Sequence, residues 1–353
     1  AFFIFLTTNM WATLSDKYGR KPFLAMSAAG IGIGAGIVSM SNSFAPMYIA
    51  AAIDGCTSCM FGLGQAYLCD ISEASQLPAN IGLFMGVSAG IGFTFGVPIS
   101  AVLMKSKGVR APFVVSACVG LLNSLFILTC LPESLAPENR RASIDMRECN
   151  PLAAMHTLAR NGLMIGASLS YFLLWFAHTG LQVTWMNFFK AAHGWSAGKA
   201  GGVLAIFGIG TAFLPRLLLK LMSLSKAVQF GLATYSVSML ALSQARSDLQ
   251  VYAALVLAAV GSTALPSSLS FLANQASADA KGAMQGATET LKTVNSILGQ
   301  PFMSAVFAYG ISSQRTVPVP GLMFVLGSAL LALSCAVFSY TLYAFGHLDL
   351  YTT

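Results

Sequence analysis

Apolar residues come in long runs, and polar residues collect in the gaps between them. The runs cover approximately 1–14, 23–42, 46–68, 81–104, 111–131, 161–187, 198–222, 227–245, 249–272, 283–309 and 320–345. An α-helix rises about 1.5 Å per residue, so roughly 20 residues cross the ~30 Å hydrocarbon layer of a bilayer. The pattern predicts ten full membrane-crossing helices and one partial one. A helix satisfies its own backbone groups in lipid. The first run has fourteen residues, enough for about 21 Å of helix. It has no basic leading region and no cleavage site, which excludes a signal peptide. The expectation is that the chain begins part-way through a membrane helix.

The longest polar gap is 132–160. With one helix placed ahead of residue 1, this gap falls between the sixth and seventh of twelve. The expected fold is an all-α membrane bundle of two six-helix halves. Residues 1–131 form the first half, 132–160 a central cytoplasmic loop, and 161–353 the second half.

Composition agrees. The chain is 56% hydrophobic and only 9% charged, against about 25% charged in soluble domains. The net charge of +7 could serve nucleic acid. The bases, however, sit in short gaps between apolar runs rather than in one patch with aromatics, which argues against that partner. They report topology instead. Eleven Lys and Arg fall in one set of alternating gaps, seven in the other, and Lys292 inside a run. The richer set contains 15–22, 132–160 and the C-terminal tail, and an excess of bases marks the cytoplasmic side. Cys56 and Cys59 form a CxxC within one run, where packing is the expected role. Four glycines, Gly30, Gly32, Gly34 and Gly36, lie mid-run with no strand before them, so close helix packing is expected rather than a nucleotide loop.

One gap is unusual. Residues 14–22 read LSDKYGRKP, with Asp16, Lys17, Arg20 and Lys21 in a tight knot. Three bases alone would fix topology, so the acid calls for a further role. The stretch Ala12–Lys21 resembles the loop between the second and third helices of the major facilitator superfamily, with Ala12 where the family has Gly. Tyr67-Leu-Cys-Asp70-Ile71 resembles the end of the family's fourth helix, and Leu131–Leu135 the end of its sixth. Asn150-Pro151-Leu152 resembles the stretch before helix seven, and Gln285-Gly286 the start of helix eleven. Together these are similar to the drug:proton antiporter branch, near tetracycline-resistance efflux proteins and hippocampus-abundant-transcript-like transporters.

The resemblance implies a secondary transporter with alternating access, either a proton-coupled efflux antiporter or a facilitative or symport carrier of sugars or organic acids. A non-transporting membrane receptor on the same scaffold is a further reading. It also implies gating by Asp16, Gly19, Arg20, Lys21 and Asp70, with Asp16 facing the N-terminus of helix eleven and Arg20 pairing with Asp70. Two departures stand out. Val97 separates Gly96 from Pro98, where efflux antiporters have Gly-Pro. Ala51 stands four residues before Gly55, where they carry an Arg tied to proton coupling. Gly96 and Pro98, with Ser100-Ala-Val, are echoed by Gly299 and Pro301 with Ser304-Ala-Val, a weak internal repeat that marks two helix bends.

Ionisable groups inside membrane runs are costly and mark solute or ion paths. Asp54 and Gln65 are eleven residues apart, three helical turns, which would put them on one face of one helix. Asp54 reads equally as a near-loop residue. His178 and Gln182 stand at i,i+4, flanked by Trp175 and Trp185, as a solute wall or a helix contact. Glu289 and Lys292 stand at i,i+3, with Asn295 beyond, and Asn9 lies in the first run. These are the candidate substrate or coupling residues. No cofactor, metal or Walker motif is expected. The expected partners are a small-molecule solute, protons and the lipid bilayer, with a monomer as the assembly. The protein is expected to be multi-pass, in the plasma membrane or an endomembrane.

Overall fold

The computed structural model describes residues 2–73, 76–140, 158–275, 281–312 and 319–345. Asn150, Pro151 and Leu152 fall outside them. The described residues are helical, with no strand among them. The helices are α1 (Phe2–Tyr18), α2 (Lys21–Met40), α3 (Phe44–Thr57), α4 (Met60–Ile71), α5 (Leu77–Ile91), α6 (Val97–Lys107) and α7 (Ala111–Cys130). They continue with α8 (Gly162–His193), α9 (Ala197–Leu221), α10 (Leu224–Gln244), α11 (Asp248–Gly261), α12 (Ala264–Asn274), α13 (Lys281–Gly310) and α14 (Leu322–Phe345).

Six stretches among the described residues are long and apolar enough to cross a membrane: Lys21–Met40, Phe44–Ile71, Ala111–Cys130, Gly162–His193, Asp248–Asn274 and Leu322–Phe345. That is fewer than the ten full spans anticipated. α13 is long enough, but Lys281, Glu289 and Lys292 lower its apolar character, and α10 carries a series of Ser and Gln.

Three apolar runs are interrupted, each for a physical reason. The run 46–68 breaks at Ser58 and Cys59. Ser27 of α2 accepts the freed N–H groups of Cys59 at 3.2 Å and Met60 at 3.1 Å. These are donors that a helix start leaves unsatisfied. The run 249–272 breaks at Ser262 and Thr263, just before Pro266. Proline has no N–H to donate one turn back, and the N–H of Leu265 bonds the Ser262 carbonyl instead, at 3.0 Å. The run 81–104 contains a π-helical turn, Gly92–Gly96, immediately before Pro98, the kind of local widening that accompanies helix bends.

The chain packs as two units that interleave along the sequence. Unit 1 is Ala1–Leu77, Ile99–Thr157 and Ala278–Thr293. Unit 2 is Pro78–Pro98, Leu158–Ser277 and Val294–Thr353. In unit 1, α2 is central and packs on α3 and α7. Glycine permits this approach: a Cβ on Gly120 would stand 2.7 Å from the Gly32 Cα. Gly30 abuts Thr57 of α3 in the same way. The core gathers Leu24, Ala25, Ala28, Cys59, Leu63 and Ile127.

In unit 2, α14 packs against α8 and α10, and α10 packs against α11 and α12. A Cβ on Gly261 would stand 2.5 Å from the Tyr235 backbone. Lipid supplies no hydrophobic drive between helices, so small residues and interhelical hydrogen bonds hold such bundles. Ser170 and Ser334 (2.8 Å), Ser236 and the Ser328 carbonyl (2.8 Å), and Gln229 and Ser339 (2.9 Å) are bonds of this kind.

Candidate functional site

The charged knot joins α1 to α2. Gly19 has φ +97°, a left-handed turn that glycine adopts without strain, and its N–H bonds the Ser15 carbonyl at 3.0 Å. This turn folds Arg20 back onto α1. Its guanidinium lies 2.5 Å from Asp16 Oδ1, donates to Ser15 Oγ at 2.6 Å, and donates through Nε to Asp70 Oδ2 at 3.2 Å. Ser134 donates to the same Asp70 oxygen at 2.8 Å. One buried arginine thus bridges two carboxylates and uses the fork geometry that lysine lacks.

Glu133 completes the knot. Its carboxylate accepts the backbone N–H of Arg20 at 2.8 Å and of Lys21 at 3.1 Å, and the N–H of Leu135 at 3.2 Å. It therefore caps the N-terminus of α2 and offsets the positive end of that helix, where Lys21 adds a further positive charge. Sequence reasoning assigned Glu133 no role. The available signal was an acid at the end of an apolar run, with no span of its own to serve.

A second polar group lies in the first half of α13. Lys292 Nζ is 2.5 Å from Glu289 Oε1 and 5.2 Å from the Phe61 ring centroid. Gly62 makes room for this acid: a Cβ there would stand 3.3 Å from Glu289 Cγ. Asn9 donates to Thr290 Oγ1 at 2.9 Å, and a Cβ on Gly286 would stand 3.1 Å from Asn9 Oδ1. Asn9 Oδ1 and both amide atoms of Gln65 are buried without a hydrogen bond among the described residues.

The knot and the acid meet at one cavity in unit 1, with a volume of about 40 Å³. Its walls are Thr8, Ala12, Asp16 and Arg20 from α1 and the turn, Cys59, Gly62, Leu63 and Ala66 from the start and face of α4, and Gly286 and Glu289 from α13. Thr8, Ala12 and Asp16 follow at i,i+4,i+8, so the cavity runs roughly 12 Å along one face of α1. The structure pairs Asp16 with Arg20, and Asp16 shares this cavity with Gly286 in the second turn of α13.

The other candidates fall elsewhere. Asp54 is exposed on α3 and Gln65 is fully buried on α4, with the break at Ser58 between them. The expectation of one shared helical face is corrected by that break. In unit 2, His178 is buried, shares a 2.8 Å hydrogen bond with the Tyr235 hydroxyl, and lies 3.1 Å from the exposed Gln182 amide. Trp175 meets the His178 ring edge-on, and Trp185 packs on Phe207 of α9. Asn295 is fully buried, with neither amide atom hydrogen-bonded among the described residues. Gly96 closes the π-helical turn ahead of Pro98. Pro301 lies inside α13, and a Cβ on Gly299 would stand 3.6 Å from Phe176.

One further cluster escaped the sequence reading. In unit 2, Asp248 at the start of α11 accepts from Trp195 Nε1 at 2.8 Å and from Lys199 Nζ at 2.5 Å. Lys199 Nζ lies 4.5 Å from the Trp195 ring centroid, and Trp195 stacks on Phe189 at 4.9 Å. This ties the turn between α8 and α9 to α11.

Residues 1–300 match the sequence model of the Major Facilitator Superfamily. The chain belongs to this superfamily. Members of the superfamily are transporters, and this chain is an integral multi-pass membrane protein. The chain is 26% identical over 331 residues to the tetracycline resistance protein, class C, of Escherichia coli, covering 92% of this chain and 81% of that one. It is 23% identical over 313 residues to human hippocampus abundant transcript-like protein 1, covering 86% of this chain and 61% of that one. The fold is similar to that of the human organic anion transporter MFSD10 (TETRAN), with a TM-score of 0.78, 23% identity, and coverage of 95% of this chain and 81% of that one.

Proposed function

We propose that this chain is a secondary active transporter, built as two six-helix halves, that moves a small organic solute by alternating access coupled to protons. The observation that carries the reading is the Glu289–Lys292 pair at 2.5 Å on α13, with Glu289 on the cavity that Asp16 and Arg20 also line. An ionisable pair within an apolar bundle is costly and tends to be functional. Glu289 carries the coupled proton. Lys292, Phe61, Asn9 and Gln65 orient the solute by charge, ring surface and amide hydrogen bonds. Asn295, Gln182 and His178 are the candidate polar residues of unit 2. Asp16, Gly19, Arg20, Lys21 and Asp70 form the cytoplasmic gate, which closes when Arg20 bridges its two carboxylates. The likeness to tetracycline resistance proteins supports tetracycline as the first solute to test.

A second reading is favoured by Ala51, which stands where efflux antiporters carry an arginine. In that reading the same fold is a facilitative carrier. The experiment that separates the two uses purified protein in sealed vesicles with a pH-sensitive dye inside. Solute-dependent proton flux that Glu289→Gln abolishes supports the coupled transporter. Solute movement without proton flux supports the facilitator. No movement of drugs, sugars or organic acids by folded protein removes both.

A further inference from the structure

At the junction of α8, α9 and α11 in unit 2 we infer a binding site for organic ammonium ions, formed by Trp195 and Asp248 and filled in this structure by the ammonium of Lys199. The site is independent of the coupling role proposed for Glu289, which lies in unit 1.

Its chemistry follows from the seat that Lys199 occupies. Lys199 Nζ stands 4.5 Å from the Trp195 ring centroid and 2.5 Å from Asp248 Oδ2. An indole face attracts a cation within about 6 Å, and a carboxylate adds a charge-assisted hydrogen bond. The two groups are fixed to each other. Trp195 Nε1 donates to Asp248 Oδ1 at 2.8 Å, which leaves Oδ2 for the cation. Phe189 backs the buried indole at 4.9 Å, so the ring cannot swing away. Tyr252, one turn after Asp248 on α11, adds a second ring 5.9 Å from Trp195. His193 lies 5.6 Å from the same ring, and its Nε2 is buried with no hydrogen bond among the described residues. In the tautomer protonated at Nδ1, this nitrogen offers an acceptor to a second ammonium N–H.

Lys199 is a poor permanent occupant. It stands in the first turn of α9, which begins at Ala197, and a cation there opposes the helix dipole. Its side chain is 39% exposed and that of Asp248 50%, and an ion pair at such exposure contributes little net stability. The lysine stem is long and flexible, so the ammonium can leave for water while Trp195 and Asp248 stay in place. A ligand ammonium that carries more apolar surface than a lysine stem therefore competes for the seat. Charge on the surrounding gaps singles the site out. The base-poorer set of gaps holds seven Lys and Arg, and Asp248 is its sole acid. Cations are repelled by those bases and drawn to this one carboxylate. An organic ammonium solute thus finds its first contact at this end of unit 2, with Lys199 as a tethered competitor.

The test empties the seat and refills it from solution. Butylammonium reproduces the end of a lysine side chain. It is titrated against the purified full chain in detergent and followed by the emission of Trp195, assigned by its loss in Trp195→Phe. Sodium chloride at the same concentrations controls for screening. Lys199→Ala should bind butylammonium at least tenfold more tightly than the native chain, and adding Asp248→Asn should abolish that gain. Lys199→Ser replaces Lys199→Ala if the latter does not fold. In the native chain, excess butylammonium should shift the same emission, a readout that needs no variant of Lys199. Equal affinity in the native and Lys199→Ala proteins, or binding that survives Asp248→Asn, would overturn the site and leave the transporter reading intact. An emission change that sodium chloride reproduces would show a surface ion pair only and would overturn it as well. Absence of solute movement in vesicles bears on the transporter reading alone.

Discussion

The backbone N–H of Arg20 lies 2.8 Å from Glu133 Oε1 across 113 residues of sequence. One carboxylate thereby holds three N–H groups and fixes the turn that aims Arg20 at its partners. Glu133→Ala should lower stability by about 1–2 kcal/mol, the usual worth of a helix cap with charge-assisted bonds. Glu133→Gln should recover part of it. Thermal unfolding in detergent measures both, and an unchanged midpoint in Glu133→Ala would remove the capping role.

Arg20 neutralises two carboxylates at once. Arg20→Ala leaves Asp16 and Asp70 facing each other and should cost about 2–3 kcal/mol, less than a fully buried pair because both acids retain some solvent. Arg20→Lys should restore less than half of this, since a single ammonium cannot reproduce the fork. Equal unfolding midpoints for the lysine and native proteins would contradict the bridging geometry.

The Glu289–Lys292 pair should show the asymmetry of buried ion pairs. Glu289→Gln or Lys292→Met alone removes one member of the pair and should cost about 3 kcal/mol. The double variant should be more stable than either single one. A double variant as unstable as the sum of the two would show that the groups do not interact in the folded protein.

Gly62 sits against Glu289 Cγ, where a Cβ would stand at 3.3 Å. Gly62→Val should displace that acid and reduce solute-driven proton flux at least fivefold while costing about 1–3 kcal/mol from overpacking. Flux at the native level in a folded Gly62→Val protein would detach Glu289 from coupling.

Gly261 lies 2.5 Å from the Tyr235 backbone when given a Cβ. The obstacle is main chain, so it cannot rotate away. Gly261→Ala should separate α10 from α11 and cost about 2–3 kcal/mol, read as a lower yield of folded protein in detergent. Gly96→Ala, whose Cβ position meets no neighbouring helix within 4 Å among the described residues, is the matched control and should be nearly silent.

Helical character was legible in the chain because the length of an apolar run is a local property that lipid reads directly. The knot was legible for a similar reason, since Asp16, Gly19 and Arg20 are close in sequence. The helix breaks were less accessible. The break at Ser58 depends on Ser27, a hydroxyl from another helix, and it is what separates exposed Asp54 from buried Gln65. Pro266 was a visible warning of the break before α12, and the sequence reading ran the helix through it.

Run lengths, the all-helical class and the chemistry available in each gap follow from residues within a few positions of one another. Which polar groups meet does not. Glu133 reaches Arg20 over 113 residues and Asn9 reaches Thr290 over 281. The cavity shared by Asp16 and Glu289 is a space between three helices, defined by where side chains are too small to fill it. No period in a single run encodes such a space, because it depends on how α1, α4 and α13 pack.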